Sequence, residues 1–157
     1  MRATQAPNHS PMPLAPNDIA PDFILPDQNG TLVSLNELLA EGPAVVFFYP
    51  KDDTPGCTRQ ACSFRDNYAR ITAKGVRVAG ISRDDARSHT AFRQKHELPF
   101  TLLSDTDGAV HRVWGCTLFG LLTRRVTFLI GPDHRIRLAH ESKLRMDSHV
   151  EAVLRAL

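Results

Sequence analysis

The chain has 157 residues, of which 42% are hydrophobic and 23% charged. That suits one globular domain with its own core and is too short for two comfortable ones. Nineteen basic residues against 17 acidic ones leave a formal charge of +2. The basic residues are scattered without a block, which excludes a dedicated nucleic-acid or anionic-membrane binder. Three cysteines are too few, and odd in number, for a secreted disulfide scaffold, so a reducing, cytoplasmic setting is expected. The N-terminal MRATQAPNHSPMPLAPND lacks the apolar stretch of a signal peptide, and no run approaches the ~20 apolar residues of a membrane span.

Residues 1–17 carry Pro7, Pro11, Pro13 and Pro16 with little apolar material and read as a flexible tail; residues 18–157 read as one domain. Residues 23–25 and 31–33 flank Asn29-Gly30 and predict a hairpin. A short helix is expected over 35–39, stopped by Gly42-Pro43. Residues 44–49 form a continuous apolar run, the pattern of a central strand with both faces covered. Helical character over 58–74 ends at Gly75. A second buried strand is expected over 76–82, then a polar helix over 84–96 capped by Asp84. A strand over 99–103 and a short helix over 107–114 follow. Residues 125–130 and 135–138 predict a hairpin around Gly131-Pro132, and Asp147 is expected to cap a final helix. The fold class is α/β: a central mixed β-sheet flanked by helices, with an N-terminal β-hairpin.

The densest local chemistry lies in Pro50-Lys51-Asp52-Asp53-Thr54-Pro55-Gly56-Cys57-Thr58-Arg59-Gln60-Ala61-Cys62, between the strand ending at Tyr49 and the helix that follows. In open α/β sheets reactive groups collect at the carboxyl ends of strands, where helix N-termini point at them. Cys57 would sit in the first turn of its helix, where unpaired N–H groups and the positive end of the macrodipole favour a thiolate. A free thiol of pKa about 8.5 is only about 3% ionised at pH 7, so such a site multiplies the reactive population. On a continuous helix, Cys57 and Cys62 have Cα atoms roughly 8.6 Å apart and on different faces. A disulfide requires Cα atoms within about 7 Å. Either the two thiols never pair, or the first turns of the helix unwind when they do.

Pro50, Thr54 and Cys57, in the spacing P-x3-T-x2-C, match the active-site motif of the peroxiredoxins. The string YPKDDTPGCTRQAC, with APDFILPDQNG, GISRDD, PFTLLSD and RRVTFLIGPD, resembles the Q-type or bacterioferritin-comigratory-protein branch across residues 18–157. The resemblance implies a thioredoxin-like fold and thiol-dependent reduction of hydrogen peroxide and organic hydroperoxides. It casts Cys57 as the peroxidatic cysteine and Cys62 as the resolving one. Thr54 becomes the hydroxyl that contacts thiolate and peroxide, Pro50 the shield over the sulfur, and Arg125 the group that holds the thiolate and polarises the peroxide. Thioredoxin is the implied reductant, with glutaredoxin or glutathione as the other candidates. The segment from Gly115 to Arg125 is shorter than is usual in the branch, and its position before a strand favours Arg125 over Arg124. Cys116 has no catalytic counterpart and reads as a small packing residue.

A metal site on Cys57, Cys62, His111 and Cys116 is the rival of a different class, but an x4 spacing within a helix is awkward for two ligands. A general disulfide reductase would place its cysteines two residues apart. An inert interaction domain would leave the thiols unreactive. Trp114 reads as packing, Asp52 and Asp53 as solvent-facing or turn-capping, and Asp84 and Asp105 as caps. With no glycine-rich phosphate loop, no nucleotide or flavin is expected, and with no HExxH or H-x-H pattern among the seven histidines, no metal cofactor. Because a Cys57–Cys62 bond would close within one chain, a monomer is expected.

Overall fold

The computed structural model describes residues 12–157. Strands β1 (Ile24–Pro26) and β2 (Leu32–Ser34) form an antiparallel hairpin whose turn holds Gly30 at φ +78, with Asp27 Oδ1 accepting from the N–H of Asn29 and Thr31. Ser34 caps α1 (Leu35–Leu38), its Oγ accepting from Glu37 N–H at 3.0 Å. Then come β3 (Ala44–Phe48), α2 (Pro55–Asp66), α3 (Tyr68–Thr72) and β4 (Arg77–Ser82). The remaining elements are α4 (Ala86–His96), β5 (Thr101–Ser104), α5 (Ala109–Val113), β6 (Thr117–Leu118), β7 (Leu122–Thr123), β8 (Val126–Ile130), β9 (Ile136–Glu141) and α6 (Asp147–Ala156).

The central sheet has the order β5-β4-β3-β8-β9, with β3, β4 and β5 parallel and β8 antiparallel to both β3 and β9. This is the mixed sheet that the alternating elements predict. Every residue of β3 is buried, because its two faces feed two separate cores. Ala44, Val46 and Phe48 pack with Leu35, Trp114, Cys116 and Phe128, whereas Val45, Phe47 and Tyr49 pack with Cys57, Phe64, Ile71, Phe92 and Val153. Period-two alternation within an all-apolar strand thus sorts the cysteines: Cys57 lies on one face of the sheet and Cys116 on the other.

Several elements differ from the sequence reading. The helix expected over 58–74 is two helices, parted at Asn67, whose Nδ2 donates to Ser63 C=O at 2.9 Å. The first of them begins at Pro55, a residue pre-set for the first helical position. Asp85 rather than Asp84 caps α4, accepting from Ser88 N–H at 2.9 Å. Asp147 is the first residue of α6 and caps nothing; it accepts from Arg59 Nη2 at 2.9 Å instead. The β6–β7 hairpin, too short for any periodic signal, turns through Phe119 and Gly120 at φ +54 and +73. Nor are residues 12–17 a free tail. Leu14 packs on the core and its N–H donates to Trp114 C=O at 3.1 Å, while Asn17 N–H donates to Ile136 C=O at 2.9 Å. Gly115, at φ +72, leaves room for the Met12 backbone where a Cβ would stand. The rest of the expected tail, residues 1–11, lies outside the described residues.

Candidate active site

Chain direction puts the site together. β3 ends at Phe48, the loop 49–54 follows, and α2 starts with Cys57 in its first turn, packed in the same core as Phe47 and Tyr49. The β3–β8 register ends at Phe48 opposite Val126, so Arg125 emerges beside Tyr49 at the same edge. There Arg125 Nη1 donates to Cys57 Sγ at 3.2 Å and to Gln60 Oε1 at 2.8 Å. Cys57, the third residue of α2, is only 1% exposed, so its sulfur meets a guanidinium donor and a helix N-terminus rather than bulk water. Both features stabilise negative charge on sulfur. Thr54 has the extended backbone of an N-cap, yet its side chain does not cap the helix: Oγ1 donates to Lys51 C=O at 2.9 Å. Pro50 is exposed and, with Leu118, Leu122, Arg125 and Lys143, lines a cleft of about 290 Å³ that opens beside the guanidinium.

Cys62 stands apart. It is half-buried and lines a different groove, between α2 and α6, with Arg59, Asp66, Asp147 and Val150. α2 runs unbroken from Pro55 to Asp66 with both thiols free. Its regular geometry keeps the Cα atoms roughly 8.6 Å apart, beyond the reach of a disulfide. Arg124 turns away to Glu141, its Nη1 donating to Oε2 at 3.1 Å. Cys116 is fully buried, and burial pushes its thiol well above the usual range, as befits a packing residue. The four residues of the rival metal site do not converge: Cys116 and Cys57 occupy opposite faces of the sheet, and His111 Nδ1 is held by Asp105 Oδ2 at 2.6 Å. Burial would raise Asp105, but the His111 imidazole and the N–H groups of His111 and Val110 outweigh it and lower its pKa. Trp114 is fully buried in the core.

The sequence reading passed over Gln60. One turn beyond Cys57 on the same helix face, it is fully buried, and its Nε2 has no hydrogen-bond partner among the described residues. An orphaned buried amide costs roughly 1–3 kcal/mol, and its opposite end holds Arg125 on the sulfur. A Gln60→Leu variant is therefore expected to lower the rate of sulfur oxidation about tenfold, the value of one charge-assisted hydrogen bond, while its urea midpoint stays equal or rises. Rapid-quench oxidation and urea unfolding check the two halves.

His149 lies fully buried behind Arg125. Thr127 Oγ1 contacts its Nδ1 at 2.8 Å, and its Nε2 donates to Ser142 C=O at 3.0 Å. Burial first, then the charges of His140 and Arg125, lower its pKa to about 4 against the Ser142 hydrogen bond. The unfolded imidazole, near 6.5, binds a proton that the folded one refuses. Stability is thus complete above about pH 6.5 and declines as pH falls toward 4, by up to about 3 kcal/mol from this group. Urea midpoints at pH 7.5 and 4.5 should differ less in His149→Gln than in the parent chain.

The AhpC/TSA family pattern matches residues 16–139, a span that contains Pro50, Thr54, Cys57, Cys62 and Arg125. The chloroplastic peroxiredoxin Q of Suaeda salsa is 45% identical over 139 residues, 87% of this chain and 64% of that protein. Among solved structures, peroxidoxin BcpB of Mycobacterium tuberculosis is 37% identical and superposes with a TM-score of 0.86 over 92% of this chain and 96% of its own. The chain belongs to the AhpC/TSA family, in its peroxiredoxin Q branch. The bacterioferritin comigratory protein of Xanthomonas campestris is a further structural relative of this peroxiredoxin, 33% identical, with a TM-score of 0.78 over 85% of this chain and 88% of that one. The chain spans about two thirds of the length of the plant peroxiredoxins, and the fold it shares with BcpB is the thioredoxin-like sheet described above.

Proposed function

We propose that this peroxiredoxin is a thioredoxin-dependent thiol peroxidase acting on hydrogen peroxide and organic hydroperoxides. The observation that carries the reading is the Arg125 guanidinium, 3.2 Å from a sulfur seated in the first turn of α2. The Cys57 thiolate attacks one peroxide oxygen. The O–O bond breaks, the sulfur is oxidised to sulfenic acid, and the departing oxygen leaves as water or an alcohol after taking a proton. Arg125 and the backbone N–H groups of the helix start face the charge that builds on that oxygen, and Thr54 follows in the loop. The Cys62 thiol then displaces water from the sulfenic acid, forming the Cys57–Cys62 disulfide once α2 has unwound. A dithiol of thioredoxin type restores both thiols by exchange and is itself oxidised to a disulfide.

The relative from Xanthomonas campestris has alkyl peroxide reduction activity, which supports extending the substrate range to organic hydroperoxides. The cleft beside Pro50 holds far more than hydrogen peroxide, and Leu118 and Leu122 give it apolar walls. The proposal extends to a monomer, since both cysteines belong to one helix, and to the cytoplasm, where a reducing environment keeps such thiols free. The test is peroxide-dependent NADPH oxidation with thioredoxin and thioredoxin reductase, using hydrogen peroxide and tert-butyl hydroperoxide, with a parallel arm of glutathione and glutaredoxin. Saturable consumption in the thioredoxin arm is expected. Peroxide loss no faster than the enzyme-free control, together with reduction of insulin disulfides, would replace the peroxidase by a disulfide reductase.

A further inference from the structure

Behind the active-site loop lies a buried polar network that the chemistry above does not use. Tyr49 Oη donates to Asp52 Oδ1 at 2.6 Å. Asp52 Oδ2 meets His89 Nδ1 at 2.7 Å and accepts from Ser88 Oγ at 2.8 Å. The Asp52 N–H donates to Asp84 Oδ2 at 2.8 Å, and Ser82 Oγ reaches the same oxygen at 2.7 Å. His89, fully buried, is fixed at its other nitrogen by Leu103 C=O at 3.0 Å. A carbonyl only accepts, so Nε2 is the donor in that contact. The next residue is gripped by the same helix: Asp53, at φ +59, accepts from Lys95 Nζ at 2.9 Å and meets His96 Nε2 at 3.1 Å. Thus Asp52 is buried in a hydrogen-bond network rather than facing solvent, whereas Asp53 is exposed, as expected, and pairs with Lys95 and His96. Both aspartates tie the loop that carries Pro50 and Thr54 to α4.

We propose that Asp52, His89 and Ser88 form a clamp that holds the active-site loop in its peroxide-ready geometry and sets how readily α2 unwinds toward Cys62. The inference rests on the peroxidase reading. None of the three residues is bonded to Cys57 or Arg125; they act as positioning residues, through the loop. Two half-reactions make opposite demands on that loop. Attack on peroxide needs sulfur, Arg125 and Thr54 in register to within about an ångström. Disulfide formation needs the register broken, because the intact helix keeps the two thiols apart. The clamp sits immediately N-terminal to the first helical bond, Thr58 N–H to Thr54 C=O at 2.8 Å. The energy of a local opening is set by the contacts that the opening must break, so a weaker clamp enlarges the open fraction. The clamp therefore speeds oxidation of Cys57 and slows its resolution. A residue that merely supports the fold would change both steps in the same sense or change neither.

The test measures the two steps separately by rapid quench, alkylation and mass spectrometry. Sulfenic acid formation is followed in a Cys62→Ser background, and disulfide formation with all cysteines present. Ser88→Ala removes one of the donors on Asp52 and should lower the first rate about threefold and raise the second about threefold. Asp52→Asn should move both further in the same opposed directions, and Ser88→Thr, which keeps the hydroxyl, should restore both. If Asp52→Asn fails to fold, the half-buried Ser88 variants carry the test alone. Rates that fall together, or that stay unchanged in Ser88→Ala, overturn the clamp. A parent chain that forms no sulfenic acid with peroxide overturns the peroxidase reading instead, so the two failures are distinguishable.

Discussion

Cys57→Ser is expected to consume hydroperoxide no faster than buffer, and Cys62→Ser to consume one equivalent per chain and then stop. The first result follows from what the site is built to stabilise. Arg125 donates to the sulfur from 3.2 Å and the α2 N-terminus points at it, an arrangement that rewards an anion. A serine hydroxyl in the same place stays protonated and is a poor nucleophile toward an O–O bond. The second result follows from the separation of the two thiols. Cys62 faces the α2–α6 groove and makes no hydrogen bond with Arg125 or Cys57, so its loss leaves the oxidation step intact. Cys116 is no substitute, being fully buried on the opposite face of the sheet with its thiol pushed well up by burial. Peroxide consumption by each variant, with thioredoxin present, checks both statements. Sustained cycling by Cys62→Ser would remove Cys62 from the chemistry.

Arg125→Ala is expected to slow sulfur oxidation by about 10²–10³-fold, the range for losing one preorganised donor to a developing charge. Arg124→Ala should change it by less than about threefold, because that side chain is spent on a partly exposed pair with Glu141, worth at most about 1 kcal/mol to the fold. Arg125→Lys falls between them. One ammonium cannot reproduce the planar fork that reaches Cys57 and Gln60 together. Stopped-flow oxidation of the three variants orders them, and equal losses at 124 and 125 would contradict the assignment.

The strands were legible because β3 is apolar at every residue, β8 at every residue but Thr127, and the turns carry Gly30 and Gly131-Pro132. Boundaries set by single hydrogen bonds were not. Asp84 and Asp85 are equally good caps in sequence, and only the fold gives Asp85 the Ser88 N–H and Asp84 the backbone of Asp52. At the site, Cys57 and Cys62 stand out by their local spacing, whereas Pro50 and Thr54 came to notice through the motif that carries the family likeness. Arg125 entered through the family likeness and its place before a strand. Its approach to the sulfur depends on the β3–β8 register, which no local pattern encodes. Gln60, Ser88 and His89 stayed hidden for the same reason: a polar residue within a helix reads as solvated until tertiary packing buries it. Their signal is burial with polar partners, a property of the fold alone.

The central claim is that a sulfur held in an intact helix turn reaches its partner only when that turn comes apart. One equivalent of hydrogen peroxide, followed by rapid alkylation and peptide mass mapping, tests it most directly. The predicted product is a single intramolecular bond between Cys57 and Cys62, formed after a detectable Cys57 sulfenic acid, with Cys116 alkylated only after denaturation. A bond involving Cys116, or a Cys57 that remains a thiol, would contradict the account.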